Sequence, residues 1–194
     1  EGGKTENMLF QNWTDPAQHF SRNLRLQGLR ILAWRAKQFG EKEALLAVVK
    51  GAVVDADPRV RFEAIQAVQQ AALGNVTSDI IEQLSLEEDR LVFYVGWQAL
   101  RSLLSADQRR EWLDHKSARV RLAILLGLQE DYAITQEEVL ALVDRESDST
   151  IQSWALTFAL NPLPPAKFSD EPARVEMEQT VSISMLIERA REAK

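Results

Sequence analysis

One nine-residue pattern returns five times along this 194-residue chain, and a repeat of that kind constrains the fold more than any single motif. The template is Val60-Arg61-Phe62-Glu63-Ala64-Ile65-Gln66-Ala67-Val68, and it recurs over residues 24–32, 92–100 and 120–128 and, more weakly, over 151–159. The starting positions 24, 60, 92, 120 and 151 lie 36, 32, 28 and 31 residues apart, which suits a pair of helices with two turns. Apolar residues at the first, sixth and ninth places fall on one helical face, together with a small residue at the fifth or eighth. The small set is Gly28, Ala64, Ala67, Gly96, Ala99, Gly127 and Ala155. Glycine costs about 1 kcal/mol against alanine inside a helix, so glycines at matching places point to close helix–helix approach. No segment sustains the period-two alternation of a strand.

Shorter amphipathic stretches over residues 42–49, 78–84, 106–113 and 136–143 read as the first helix of each pair. Thr77 or Ser78, Ser105 and Thr135 precede acidic residues as hydroxyl caps of three of these helices, where unsatisfied amides and the helix dipole favour them. The segments Asp55-Ala56-Asp57-Pro58, Asp114-His115-Lys116-Ser117 and residues 144–149 read as polar turns, with Pro58 in the first turn of the following helix. Leu73-Gly74-Asn75 reads as a helix stop in which Gly74 or Asn75 takes positive φ.

The stretch Asp57-Pro58-Arg59-Val60-Arg61-Phe62-Glu63-Ala64-Ile65-Gln66-Ala67-Val68 resembles a short bacterial HEAT-like repeat of the PBS-lyase type, and so does the stretch from Leu113 to Leu128. The resemblance rests on an Asp-containing turn, a Val-Arg pair, and small and aliphatic residues at helical spacing; Phe93 and Gln152 depart from it where Arg is expected. It implies an all-α, right-handed α-solenoid of about four to five helix pairs. Residues 89–101 with Val120-Arg121 also resemble helical-repeat regions of large exported bacterial proteins that combine a dehydrogenase-like propeller with a haem domain. That likeness points to an exported or cell-envelope setting, with any haem held outside this chain.

At equivalent repeat places stand Arg25, Arg61 and Arg121, with Asp55, Asp57 and Asp114 in the turns before the last two. These six residues are expected to form a structural ladder in which each guanidinium reaches turn carboxylates and carbonyls. No catalytic, cofactor-binding or metal-binding residues are assigned. There is no Cys, and His19 and His115 stand far apart without a second ligand at metal spacing. His115 reads as a solvated turn residue. The acid clusters Glu87-Glu88-Asp89, Glu137-Glu138 and Glu146-Ser147-Asp148 read as caps and solvated turns. Trp34, Trp97, Trp112 and Trp154 read as core, and Trp13 as a plug at the start of the stack. Arg22, Arg25, Arg30, Arg35 and Lys37 make residues 22–37 locally basic, but 23 Lys plus Arg against 29 Asp plus Glu leaves a net charge of −6 and disfavours a general nucleic-acid binder.

Residues 1–15 are expected to lead in, 16–161 to form the repeat array, 162–171 a Pro-rich connector and 172–194 a last helix, with Val175, Val181, Met185, Leu186 and Ala190 near one face. The start at Glu1-Gly2-Gly3-Lys4 reads as a piece of a longer protein, and no apolar run approaches the 18 residues of a membrane span. The function expected is a non-enzymatic protein-interaction or scaffolding module, without a cofactor, whose partner is another protein or adjacent domains of the parent chain. The alternative from another class is a HEAT-like nucleic-acid-binding or nucleobase-processing enzyme, with Trp97, Trp154 and Arg61 lining a groove.

Overall fold

In a computed structural model, residues 21–160 are described, and they contain nine α-helices and no strand. The helices are α1 (Arg22–Phe39), α2 (Lys42–Val53), α3 (Pro58–Gln70), α4 (Thr77–Leu86), α5 (Arg90–Leu103), α6 (Ala106–Arg110), α7 (Ala118–Glu130), α8 (Gln136–Arg145) and α9 (Ser149–Leu160). The five template segments lie within α1, α3, α5, α7 and α9, and the shorter stretches correspond to α2, α4, α6 and α8. The expectations placed on Trp13, on His19, on residues 1–15 and 162–171, and on the last helix over 172–194 lie outside the described residues. No described helix is long and apolar enough to cross a membrane.

The chain divides into two compact units at Leu128/Gln129. In the first, α3 packs against α1 and α5, α2 packs against α3, and α4 packs against α5 and α2. Within this unit the long helices α1, α3 and α5 thus lie side by side, and the shorter α2 and α4 pack against each other beside them. In the second unit α8 packs on α9, and the Gln136 side-chain amide donates to the Ala159 carbonyl at 2.9 Å. The apolar template places form the core: Val60, Ile65 and Val68 in α3, Val92 and Leu100 in α5, and Val120, Leu125 and Leu128 in α7 are all buried. Each such side chain stabilises the fold by roughly 1.5–3 kcal/mol.

The small places differ among themselves. A Cβ on Gly96 would lie 2.6 Å from Leu84 Cδ2, and one on Gly127 would lie 3.1 Å from an Arg109 Nη1, so α5 and α7 each meet the preceding short helix closely. Gly28 departs from the expectation, because a Cβ there would meet nothing within 4 Å.

Local chemistry explains the helix ends. Pro58 opens α3, and Asp57 Oδ1 accepts the Arg59 N–H at 2.9 Å. Ser105 with Gln108 and Thr135 with Glu138 form reciprocal capping boxes. Thr77 is not a cap: Gly74–Val76 forms a 3₁₀ turn ahead of α4, and the Thr77 hydroxyl donates back to the Gly74 carbonyl at 2.9 Å. The stop before it also differs from expectation, since the positive φ of 49° falls on Ala72 rather than on Gly74 or Asn75. The Leu73 N–H reaches back to the Val68 carbonyl at 3.0 Å, which draws the chain through that left-handed conformation.

Candidate functional site

One turn geometry joins the helices of four successive pairs. A side-chain acceptor takes the backbone N–H two residues on: Asp55 from Asp57 at 2.9 Å, Glu87 from Asp89 at 2.8 Å, His115 Nδ1 from Ser117 at 3.1 Å, and Glu146 from Asp148 at 2.9 Å. In three of the turns the residue at that second place is an aspartate that accepts first-turn amides of the next helix: Asp57 from Arg59, Asp89 from Leu91 and Val92, and Asp148 from Thr150 and Ile151. Six residues after the acceptor comes Arg61, Phe93, Arg121 or Gln152. Arg61 Nη1 donates to the Asp55 carbonyl at 2.8 Å, Arg121 Nη1 to the His115 carbonyl at 2.7 Å, and Gln152 Nε2 to the Glu146 carbonyl at 2.6 Å.

The arginines also tie one pair to the next. Arg25 of α1 faces Asp55, with Nη2 donating to Oδ1 at 3.1 Å and Nε lying 3.0 Å from Oδ2. Arg61 of α3 grips Glu87 in two-pronged fashion, Nε to Oε2 at 2.8 Å and Nη2 to Oε1 at 2.7 Å. Glu87, 1% exposed, also accepts from the Gln83 amide at 2.9 Å. Burial alone would push its carboxyl up, but the bonds from Arg61, Gln83 and the Asp89 N–H together hold it below the ordinary range. The Arg61 guanidinium is pushed up mainly by its bond to Glu87. A parallel strut runs from Arg30 of α1 to Glu63 of α3 at 2.8 Å.

Of the six residues expected in the ladder, Arg25 and Asp55 face each other, and Arg61 holds the Asp55 carbonyl. Asp57 caps α3 and lies 3.9 Å from Arg22. Arg121 holds the carbonyls of His115 and Lys116, while Asp114 stands exposed, one residue before the acceptor. Glu87 and Glu146 are buried turn acceptors, not the solvated acids expected from their neighbours, because each folds its carboxylate over its own turn. Their sequence signal is an acid six residues ahead of the Arg place, as in Asp55/Arg61, Glu87/Phe93 and Glu146/Gln152. His115 is half-buried and bonded rather than merely solvated. Phe93, in the Arg place, instead receives the Arg119 guanidinium over its ring at 5.0 Å.

The basic segment over residues 22–37 is largely neutralised, with Arg25 on Asp55, Arg30 on Glu63, and Arg35 on Glu41 at 2.6 Å. Trp97 is core, but Trp34 at 54% and Trp154 at 49% exposure are not, contrary to expectation. Trp34 meets Phe39 edge-on at 5.3 Å, and Tyr94 meets Trp97 the same way. Leu91 and Tyr94, one turn apart on α5, are 69% and 54% exposed. Among the described residues no group of three or more His, Asp or Glu side chains is placed to hold a metal ion. Set against known proteins, the chain matches no family model, no curated sequence and no solved structure.

Proposed function

We propose that this chain is a non-catalytic protein-interaction or scaffolding module, built as a right-handed HEAT-like solenoid of four to five helix pairs. The observation that carries this proposal is where the charged side chains go. Arg25 with Asp55 and Arg61 with Glu87 join consecutive helix pairs, so the residues best suited to bind anions or move protons serve the stack. What is left facing solvent on α5 includes Leu91 and Tyr94, large side chains of the sort that protein partners bury. The partner is another protein or adjacent domains of a longer chain.

The test pairs two measurements on the purified chain. Metal analysis is expected to find no stoichiometric metal, and titration against single- and double-stranded nucleic acid at low salt no micromolar binding. Stoichiometric metal, or micromolar binding that weakens steeply with salt, would replace the scaffold by the nucleic-acid enzyme. As a surface check, Leu91→Asp should change stability by no more than about 0.5 kcal/mol. A larger loss would assign that side chain to the core.

A further inference from the structure

Three of the four equivalent turns use a carboxylate as the acceptor for the N–H two residues on, and the third turn along the chain uses an imidazole, His115 Nδ1 to the Ser117 N–H at 3.1 Å. The two acceptors do the same work near neutral pH but not below it. A carboxylate accepts wherever it is ionised, whereas an imidazole nitrogen accepts only while it carries no proton. We propose that the turn between α6 and α7 is an acid-sensitive joint, in which protonation of His115 releases the Ser117 amide and loosens the start of α7, while the three carboxylate turns stay closed.

The geometry specifies the states. With Nδ1 accepting, the proton of neutral His115 sits on Nε2. Adding a second proton at Nδ1 sets two donors against each other across 3.1 Å, so the ring must turn away or the N–H must move. Charged neighbours of His115 include Asp114 and Lys116 beside it in the loop and Arg121 from α7, whose guanidinium holds the His115 and Lys116 carbonyls. Trp112, whose ring centre lies 5.9 Å from that of His115, brings no charge. Release of the turn also displaces the His115 carbonyl, so the Arg121 anchor loosens with it. A carboxyl group that gains a proton keeps a carbonyl oxygen to accept with, whereas an imidazole that gains one keeps no acceptor, so acid acts on this turn and spares the other three.

The experiment is an NMR titration of the intact chain from pH 7.5 to 5.5, following the His115 ring nitrogens and the backbone amides of Asp57, Asp89, Ser117 and Asp148. The ring shifts at pH 7.5 should report the Nε2–H form. The Ser117 amide should then titrate with the same inflection as the His115 ring and lose protection on the order of tenfold, the equivalent of one hydrogen bond, while the other three hold. In parallel, His115→Asp, which installs the acceptor used at Asp55, should remove the fall in urea midpoint between those pH values. His19→Asn, at the chain's other histidine, should keep it. A Ser117 amide that follows the other three, an Nδ1–H ring at pH 7.5, or a His115→Asp midpoint that falls as the parent's does would each overturn the proposal.

Discussion

Replacing Glu87 by Ala removes a buried turn carboxylate that accepts four hydrogen bonds. Its two oxygens accept from Arg61 Nε and Nη2, from the Gln83 amide and from the Asp89 N–H. Breaking a buried pair by deleting one partner typically costs about 3–5 kcal/mol, because the remaining charge stays in a poor environment. Arg61 is 14% exposed at its side chain and keeps the Asp55 and Ala56 carbonyls, so the lower end, about 3 kcal/mol, is expected. For a chain of this length that is a drop in Tm of roughly 6–12 °C. Urea unfolding monitored by circular dichroism reads the change directly. Because Glu87 is held below the ordinary carboxylate range, its contribution is complete above its unfolded-state value and is lost as pH falls through the folded-state value. Acidification from pH 5 should therefore weaken the parent more than Glu87→Ala. The double variant Arg61→Leu with Glu87→Leu should be more stable than either single change. A loss below about 1 kcal/mol for Glu87→Ala, with an unaltered acid profile, would refute the view that this pair joins consecutive helix pairs.

Gly28→Ala and Gly96→Ala should move in opposite directions by calorimetry. The first enters open space and gains up to about 1 kcal/mol of helix propensity, while the second drives a Cβ against Leu84 and costs on the order of 1–3 kcal/mol. Equal shifts would show that the two glycines share one environment. Ala72→Gly should raise the urea midpoint by the equivalent of roughly 0.5–1 kcal/mol, since Ala72 sits at a φ of 49° that costs an L-residue about 1–2 kcal/mol, partly offset by the entropy of a glycine in the unfolded chain. A lower midpoint would contradict it. Arg121→Ala should lower stability by about 1–3 kcal/mol through loss of charged bonds to the His115 and Lys116 carbonyls. An unchanged melt would remove Arg121 from the structural set.

The sequence by itself determined the helices and their pairing. Apolar places at helical spacing, returning every 28 to 36 residues, leave only helices as elements, and caps such as Ser105, Thr135 and Asp57 mark where several begin. Each of those features acts within a few residues of itself, so a linear reading reaches it. The partners across pairs were decided by the tertiary structure. Glu87 lies 26 residues from Arg61, and Glu63 lies 33 from Arg30, separations that no local rule connects. Adjacent acids look alike as text, yet Glu87 is buried beneath Arg61 while Glu88 beside it is exposed, because the turn points one inward and the other out. The tryptophans, by contrast, follow the register: Trp97 stands at the sixth, core-facing place of its repeat and is buried, while Trp154 stands at the fourth place, about 200° around the helix from the sixth, and faces solvent. A repeat pattern says which helix a residue belongs to. Whether another helix covers that residue depends on what packs beside it, and burial is therefore a property of the assembled fold.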